Sequence, residues 1–448
     1  MNSWLARNLL YRPLTRLRGE PVFGLLAEYQ ASQWWPPERI EALQRRRLDA
    51  LLAHAARFAP FYRRAVQEAG LEPSEVDATH LGAFPILEKR HLQEHLGELC
   101  AASRVGRTSF KTTGGSTGVP VRLRKDRRAT AAEQAASWRS YGWYGIRPGD
   151  RQARFWGVAL SRRARLRYRA IDLVLNRDRF SAFAFSEEDL ARYHRLVRRR
   201  RPVWAYGYVS MLSQFASYCL DEGLPLADLG VRAVVTTSEV LTARDRERIS
   251  EAFGAPVFDE YGCGEVGAVL YECERGRLHL MAENIFVELV PEPTADEPDA
   301  ARLVVTDLHN RATPLIRYDL GDRVVPAPPC ACGRGLPAFR RVFGRAYDFI
   351  TAPDGSRFHG EFFMYLLEQA HDRGLAIRQA QFVEVAPGRI EVRIVPRSGY
   401  DANQGALLCG WLAERSGGRL TASAVLCEEI PRLPSGKLRL IVRNQAGS

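Results

Sequence analysis

The sequence predicts an α/β protein: a large N-terminal domain of mixed sheets and helices, followed by a small α+β domain. Three observations carry this. Between residues 127 and 260, apolar runs of strand length alternate with helix-length segments, the pattern of parallel-sheet units. Beyond Gly264 the texture changes to strand-length runs joined by polar turns. Residues 345–448 hold enough helix and strand signals for a unit of their own, so domains are expected at 1–344 and 345–448.

In chain order, Leu43, Leu48, Leu51, Leu52 and Ala55 recur at helical spacing within 37–70, a pattern that Pro60 should end. A second helix is expected over 89–98 and an Ala-rich one over 127–144. Strands follow at 154–159, 203–208, 231–236 and 256–260, with helices at 187–200, 209–222 and 242–253. Residues 277–290 and 301–307 read as paired strands joined by the Pro-rich tip 291–298. The C-terminal part reads as helix 361–373, strands 379–386 and 389–396, helix 402–416 and strand 420–428.

With 448 residues, 46% hydrophobic and 26% charged, the chain can bury a large core. No apolar run reaches the roughly 18 residues that span a bilayer, and residues 1–18 make a poor secretory leader, so the cytoplasm is the expected location. The net charge of +12 is partly local, in Arg162, Arg163, Arg165, Arg167 and Arg169 and in Arg198, Arg199, Arg200 and Arg201. These runs lack interleaved aromatics, so they read as solvated helix faces and no nucleic-acid partner is expected.

Four stretches carry chemistry. Residues 112–120, Thr-Thr-Gly-Gly-Ser-Thr-Gly-Val-Pro, combine glycines with hydroxyls. Glycines let backbone N–H groups approach a ligand, and hydroxyls add rotatable donors, which together suit phosphate oxygens. No Gly-Lys-Ser/Thr closes the loop, so it is no Walker motif, and a flexible surface loop would share its composition. Residues 259–267 follow a predicted strand, where open α/β sheets bind ligands. Tyr261 could stack on a base, and Glu265 could hold magnesium. Asp322, after the Gly321 turn, could accept two hydrogen bonds from a ribose diol or cap its own turn. Lys437, in Pro434-Ser435-Gly436-Lys437, offers a point charge on a rigid turn.

In this order the four stretches resemble the adenylate-forming superfamily of acyl-CoA synthetases, adenylation domains and luciferases. The likeness is greatest to its phenylacetate-CoA ligase and CapK-like branch, over roughly residues 40–443. The resemblance implies a phosphate loop containing Thr113, Gly114, Gly115, Ser116, Thr117 and Gly118. It implies an adenine pocket lined by Ser238 and Glu239, with Tyr261 and Gly262 against the base. It makes Glu265 the magnesium ligand, Asp322 the ribose ligand, Gly344-Arg345 the approach to a hinge, and Lys437 the catalytic lysine of a mobile C-terminal domain.

Two departures stand out. Val121 occupies the usual lysine position after the loop, so Lys111, Arg122 or Arg124 is expected to supply that charge. Tyr347 occupies the usual hinge Asp position, with Asp348 beside it. The stretch 206–212 resembles a CapK-like pattern expected near the acyl pocket.

Eight cysteines show no disulfide-scaffold spacing. Cys273, His279, Cys330 and Cys332 form a Cys₃His set suited to structural zinc, or are four unrelated loop residues. Cys263 has no base beside it in sequence and reads as packing.

The expected function is ATP- and magnesium-dependent activation of a carboxylic acid, phenylacetate-like or another aryl or acyl acid, as acyl-AMP. The second step is transfer to CoA. One alternative passes the acyl group to an amine, hydroxyl or carrier protein in polysaccharide or secondary-metabolite biosynthesis. Another is a non-catalytic nucleotide-binding relative. A homodimer is left open.

Overall fold

The protein is described here by a computed structural model covering residues 1–101, 105–112, 122–156, 162–181, 187–293, 297–345, 349–353, 357–359, 373–431 and 439–443, with Phe363, Leu366, Leu367, Gln369 and Ala370. The chain divides into two compact units, Met1–Val342 and Phe343–Ser448.

In the first unit, β1 (Thr108–Thr112) and β2 (Arg122–Asp126) form an antiparallel ribbon with Thr112 opposite Arg122. Among the described residues an 11-stranded sheet follows. Its members are β3 (Gln152–Trp156), β4 (Arg177–Ser181), β5 (Trp204–Tyr208), β6 (Ala233–Thr237), β7 (Val257–Cys263), β8 (Gly267–Glu272), β9 (Leu278–Leu280), β10 (Ile285–Pro291), β11 (Ala301–Asp307), β12 (Tyr318–Ala327) and β13 (Ala338–Arg345). The spatial order is β10-β11-β12-β13-β9-β8-β7-β6-β5-β3-β4. Strands β4, β3, β5, β6 and β7 are parallel, and antiparallel pairing begins at β7–β8.

Both faces of the parallel half are covered. Helices Glu187–Arg200, Val209–Asp221 and Ala243–Phe253 pack on one face around Phe155, Phe215 and Phe253. Helix Arg127–Tyr141, the N-terminal helix Val22–Ser32 and the side chain of Tyr11 cover the other, around Tyr29, Trp204 and Tyr271. This two-sided cover explains why every residue of β5 and β6 is buried, rather than alternate ones. The third core of this unit joins helix Pro37–Phe58 to the antiparallel half.

Several elements differ from expectation. Helix Pro37–Phe58 ends just before Pro60, as the pattern required, but helical structure resumes at once. Ala59 is extended, and Pro60 opens a second helix, Pro60–Glu68, at a position where its missing N–H costs nothing. Strand β7 continues past Glu260 to Cys263. Strands β8, β12 and β13 had no counterpart in the sequence reading; in β12 and β13 charged residues such as Asp322, Arg323, Arg340 and Arg341 interrupt the apolar runs, whereas β8 is a short apolar run directly after the Glu265 turn. No helix among the described residues is long and apolar enough to cross a membrane.

In the second unit, β14 (Phe349–Thr351) pairs with β15 (Arg357–His359). A four-stranded sheet runs β18-β17-β16-β19. It is formed by β16 (Ile377–Ala386), β17 (Arg389–Pro396), β18 (Thr421–Leu426) and β19 (Ile441–Arg443). Helix Ala402–Arg415, capped by the Asp401 side chain, packs on it through Leu408 and Leu412 around Phe363 and Phe382.

Candidate active site

The site is assembled at the carboxyl ends of β5, β6 and β7. Past β6 the chain turns through Ser238, whose φ of +71° lies in the left-handed region. The next residue, Glu239, reaches across to the start of helix Val209–Asp221. Its carboxylate accepts from the Ser210 backbone N–H at 2.6 Å and the Ser210 hydroxyl at 3.1 Å. Glu239 therefore caps a helix, where an anion meets free N–H groups and the positive dipole end. That contact fixes the loop 237–239 at the strand end.

Strand β7 returns directly as β8, with Cys263 opposite Gly267 and Gly262 opposite Ala268. Glu265 lies in the tight connection and is only 8% exposed. Gly262 is required there, because a Cβ would sit 2.5 Å from the Gly267 carbonyl oxygen. The Tyr261 hydroxyl donates to Asp322 of β12 at 2.6 Å. Strands β8, β9 and β13 separate the two in the sheet order, and four steps of about 4.8 Å exceed a tyrosine's reach. The antiparallel half must curl back to bring Asp322 to Tyr261.

The ribbon β1–β2 holds the two flanks of the Gly-rich loop. Lys111 of β1 pairs with Glu133 of helix Arg127–Tyr141. Lys125 of β2, almost fully buried, meets the same Glu133 at 2.9 Å and Asp307 at 3.6 Å. Lys125 also donates to the Val266 carbonyl at 3.3 Å, one residue from Glu265. Burial pushes the Glu133 carboxyl up, but the Lys111 and Lys125 ammoniums outweigh it and hold it at about 2. Gly267 makes room, since a Cβ there would fall 2.6 Å from the Glu133 side chain. Lys111, one of three cations considered for the position of Val121, is thus already paired. Arg124 lies over the Phe110 ring at 4.7 Å. Sequence reasoning missed Glu133 and Lys125. The only signal was an acid in an Ala-rich helix and a lysine in a charged strand.

Residues Thr113, Gly114, Gly115, Ser116, Thr117, Gly118, Tyr347, Asp348 and Lys437 lie outside the described residues, and Arg345 closes β13. The Cys263 thiol is pushed up by burial and by the Glu265 charge, so it stays protonated beside that carboxylate.

A second cluster joins the turn after β8, β9 and the β12–β13 loop. One ligand atom from each of Cys273, His279, Cys330 and Cys332 lies within 4.8 Å of the others. Cys273 Sγ is 3.7 Å from Cys330 Sγ, and Cys332 Sγ is 3.3 Å from His279 Nε2. The other ring nitrogen of His279 faces the Leu336 carbonyl at 3.2 Å, which orients Nε2 toward the thiols. Burial lowers the imidazole to about 4, so it is neutral and able to ligate.

No protein-family model matches the chain. It is 27% identical to the phenylacetate-coenzyme A ligase of Thermus thermophilus, over 70% of this chain and 72% of that protein. It is 22% identical to the protein CapK of Staphylococcus aureus, over 90% of this chain and 89% of that protein. Among solved structures, 2-hydroxyisobutyryl-CoA ligase in the postadenylation state, in complex with 2-HIB-AMP, superposes with a TM-score of 0.68. The identity is 22%, over 91% of this chain and 90% of that one, a likeness of fold.

Proposed function

We infer that this chain, which belongs to the adenylate-forming superfamily on its phenylacetate-CoA ligase and CapK-like branch, is an AMP-forming acid–CoA ligase. The observation that carries this reading is the 2.6 Å contact of Tyr261 with Asp322. Two residues 61 positions apart, expected separately at the adenine and the ribose, are hydrogen-bonded to each other, which supports a common nucleotide site.

The carboxylate of the acid attacks the α-phosphorus of ATP. The P–O bond to pyrophosphate breaks, acyl-AMP forms, and pyrophosphate leaves with that bond's electron pair. The thiol of CoA then attacks the acyl carbon, AMP departs, and the thiol proton passes to solvent. The protein positions the reactants and neutralises charge. Tyr261 flanks the adenine, Asp322 accepts from the ribose hydroxyls, and the 113–118 backbone and hydroxyls hold the phosphates. Gly262 allows the close β7–β8 approach, and the loop carrying Ser238 and Glu239 lines the adenine side. Glu265 is the residue that would hold magnesium, which supplies charge neutralisation at the phosphates. The unit 1–344 binds ATP and acid, and 345–448, entered through Gly344-Arg345, delivers Lys437 for adenylation.

The Cys/His cluster reads as a structural zinc centre. Its 3.7 Å sulfur–sulfur edge fits a tetrahedron with Zn–S bonds of about 2.3 Å.

The test is pyrophosphate release with a panel of carboxylic acids, with and without CoA. The expected result is acid-dependent release, a CoA thioester when CoA is present, and loss of release in Lys437→Ala. CoA-independent conversion to an amide would overturn the thioester step, and an undiminished Lys437→Ala would overturn the mechanism.

A further inference from the structure

One face of the parallel sheet, at its carboxyl end, carries a cation that the reaction above does not use. Arg154 of β3 is opposite Tyr206 of β5. Tyr208 is opposite Thr237 of β6, and Thr237 is opposite Glu260 of β7. Trp156 lies one pleat beyond Arg154, toward the end of β3. These side chains share the face that leads to the loop 237–239.

The Arg154 guanidinium lies 4.6 Å from the Trp156 ring and 4.5 Å from the Tyr206 ring. Its Nε is buried without a hydrogen-bond partner. Among the described residues no carboxylate lies within ion-pair distance of it; the charge of Glu260 acts on it through space, but the nearby acids make their direct contacts to other groups. Glu260 accepts from the Tyr141 hydroxyl at 2.8 Å and the Tyr206 hydroxyl at 3.0 Å. Asp172 is shared by Arg177 and Arg179. Burial first, and then the repulsion of Arg154, push Arg177 down to about 10, so the two cations lie within electrostatic range of each other.

Aromatic rings against a guanidinium satisfy its faces but none of its N–H groups, which point outward in the plane. A half-buried guanidinium without an acceptor is costly, and a planar carboxylate matches its fork in two bonds. The rings of Trp156 and Tyr208, 4.3 Å apart, supply apolar surface between this cation and the strand ends.

We propose that Arg154 is a specificity-determining residue that receives a second carboxylate at the far end of the acyl substrate. The acid activated here is then a dicarboxylic acid. One carboxylate is adenylated, and the other is held against Arg154 with the connecting atoms along Trp156 and Tyr208. The proposal rests on the adenylation reading and adds the substrate class to it. An acid with an apolar tail would leave the guanidinium unpaired, which discriminates against it.

The test compares kcat/KM for pyrophosphate release between matched acids: 4-carboxyphenylacetate with 4-methylphenylacetate, and pentanedioate with pentanoate. The wild-type protein should favour the diacid of a pair by about tenfold to hundredfold. Arg154→Met, which keeps length but loses charge, should abolish or reverse that preference, and Arg154→Gln serves if the first variant does not fold. A wild-type preference for the apolar acid of each pair, or an unchanged ratio in the folded variant, overturns the assignment while leaving adenylation intact. If acids of neither kind stimulate pyrophosphate release, the adenylation reading falls and this proposal with it.

Discussion

Glu133 stands between the ammonium groups of Lys111 and Lys125, and through them it joins the β1–β2 ribbon to the Glu265 turn. Its folded-state value of about 2 lies below the ordinary 4.5. The stabilisation it gives is therefore fully present above pH 4.5 and lost as pH falls toward 2. Glu133→Gln should lower the melting temperature at neutral pH, because buried Lys125 keeps Asp307, at 3.6 Å, as its one anionic partner among the described residues. The gap to wild type should narrow as the pH drops through that window, and a gap constant with pH would disprove the ionic role. At Tyr261, replacement by Phe removes the hydroxyl that donates to Asp322. A loss of about 1 kcal/mol corresponds to roughly a fivefold rise in KM for ATP, measured by pyrophosphate release, with the melting temperature little changed. These residue-scale pairings were hidden in the sequence. Tyr261, Glu265 and Asp322 could be picked out by type and neighbourhood, but Glu133 could not, since its partners lie on strands that only folding brings to it.

At the scale of elements, the β7–β8 turn depends on how closely two backbones approach. Gly262→Ala would place a Cβ 2.6 Å from the Ala268 Cα as well as against the Gly267 carbonyl. The strands must then separate, at a cost of about 1–3 kcal/mol in chemical denaturation, and adenylation should fall further than stability because Glu265 rides on the turn. Helix Glu187–Arg200 was legible end to end from its acidic first turn, basic last turn and apolar stripe. Strand β12 was not. Its alternation is interrupted at Asp319, Asp322 and Arg323, residues that contact other strands or the site. Where function places a charge on a strand, the local pattern no longer shows the strand.

For the whole molecule, the Cys/His cluster links the end of β8 to the segment before β13, two parts of the chain far apart in sequence. If zinc occupies it, elemental analysis should find about one zinc per chain, and chelation should lower the melting temperature. Cys330→Ser should reproduce both the lost metal and the lowered melting. Full stability in a metal-free protein would refute the structural role. What the sequence by itself determined was the order and type of most elements in the parallel half, and the residue types suited to nucleotide chemistry. Hydrophobic period, capping and turn chemistry act over a few residues, so they can be read along the chain. Only the tertiary structure decided which of those residues meet: Tyr261 with Asp322, Lys111 and Lys125 with one Glu133, Arg154 between two rings. Such pairings depend on strand order and sheet curl, and those are settled by burial summed over the whole sheet rather than by any one stretch of it.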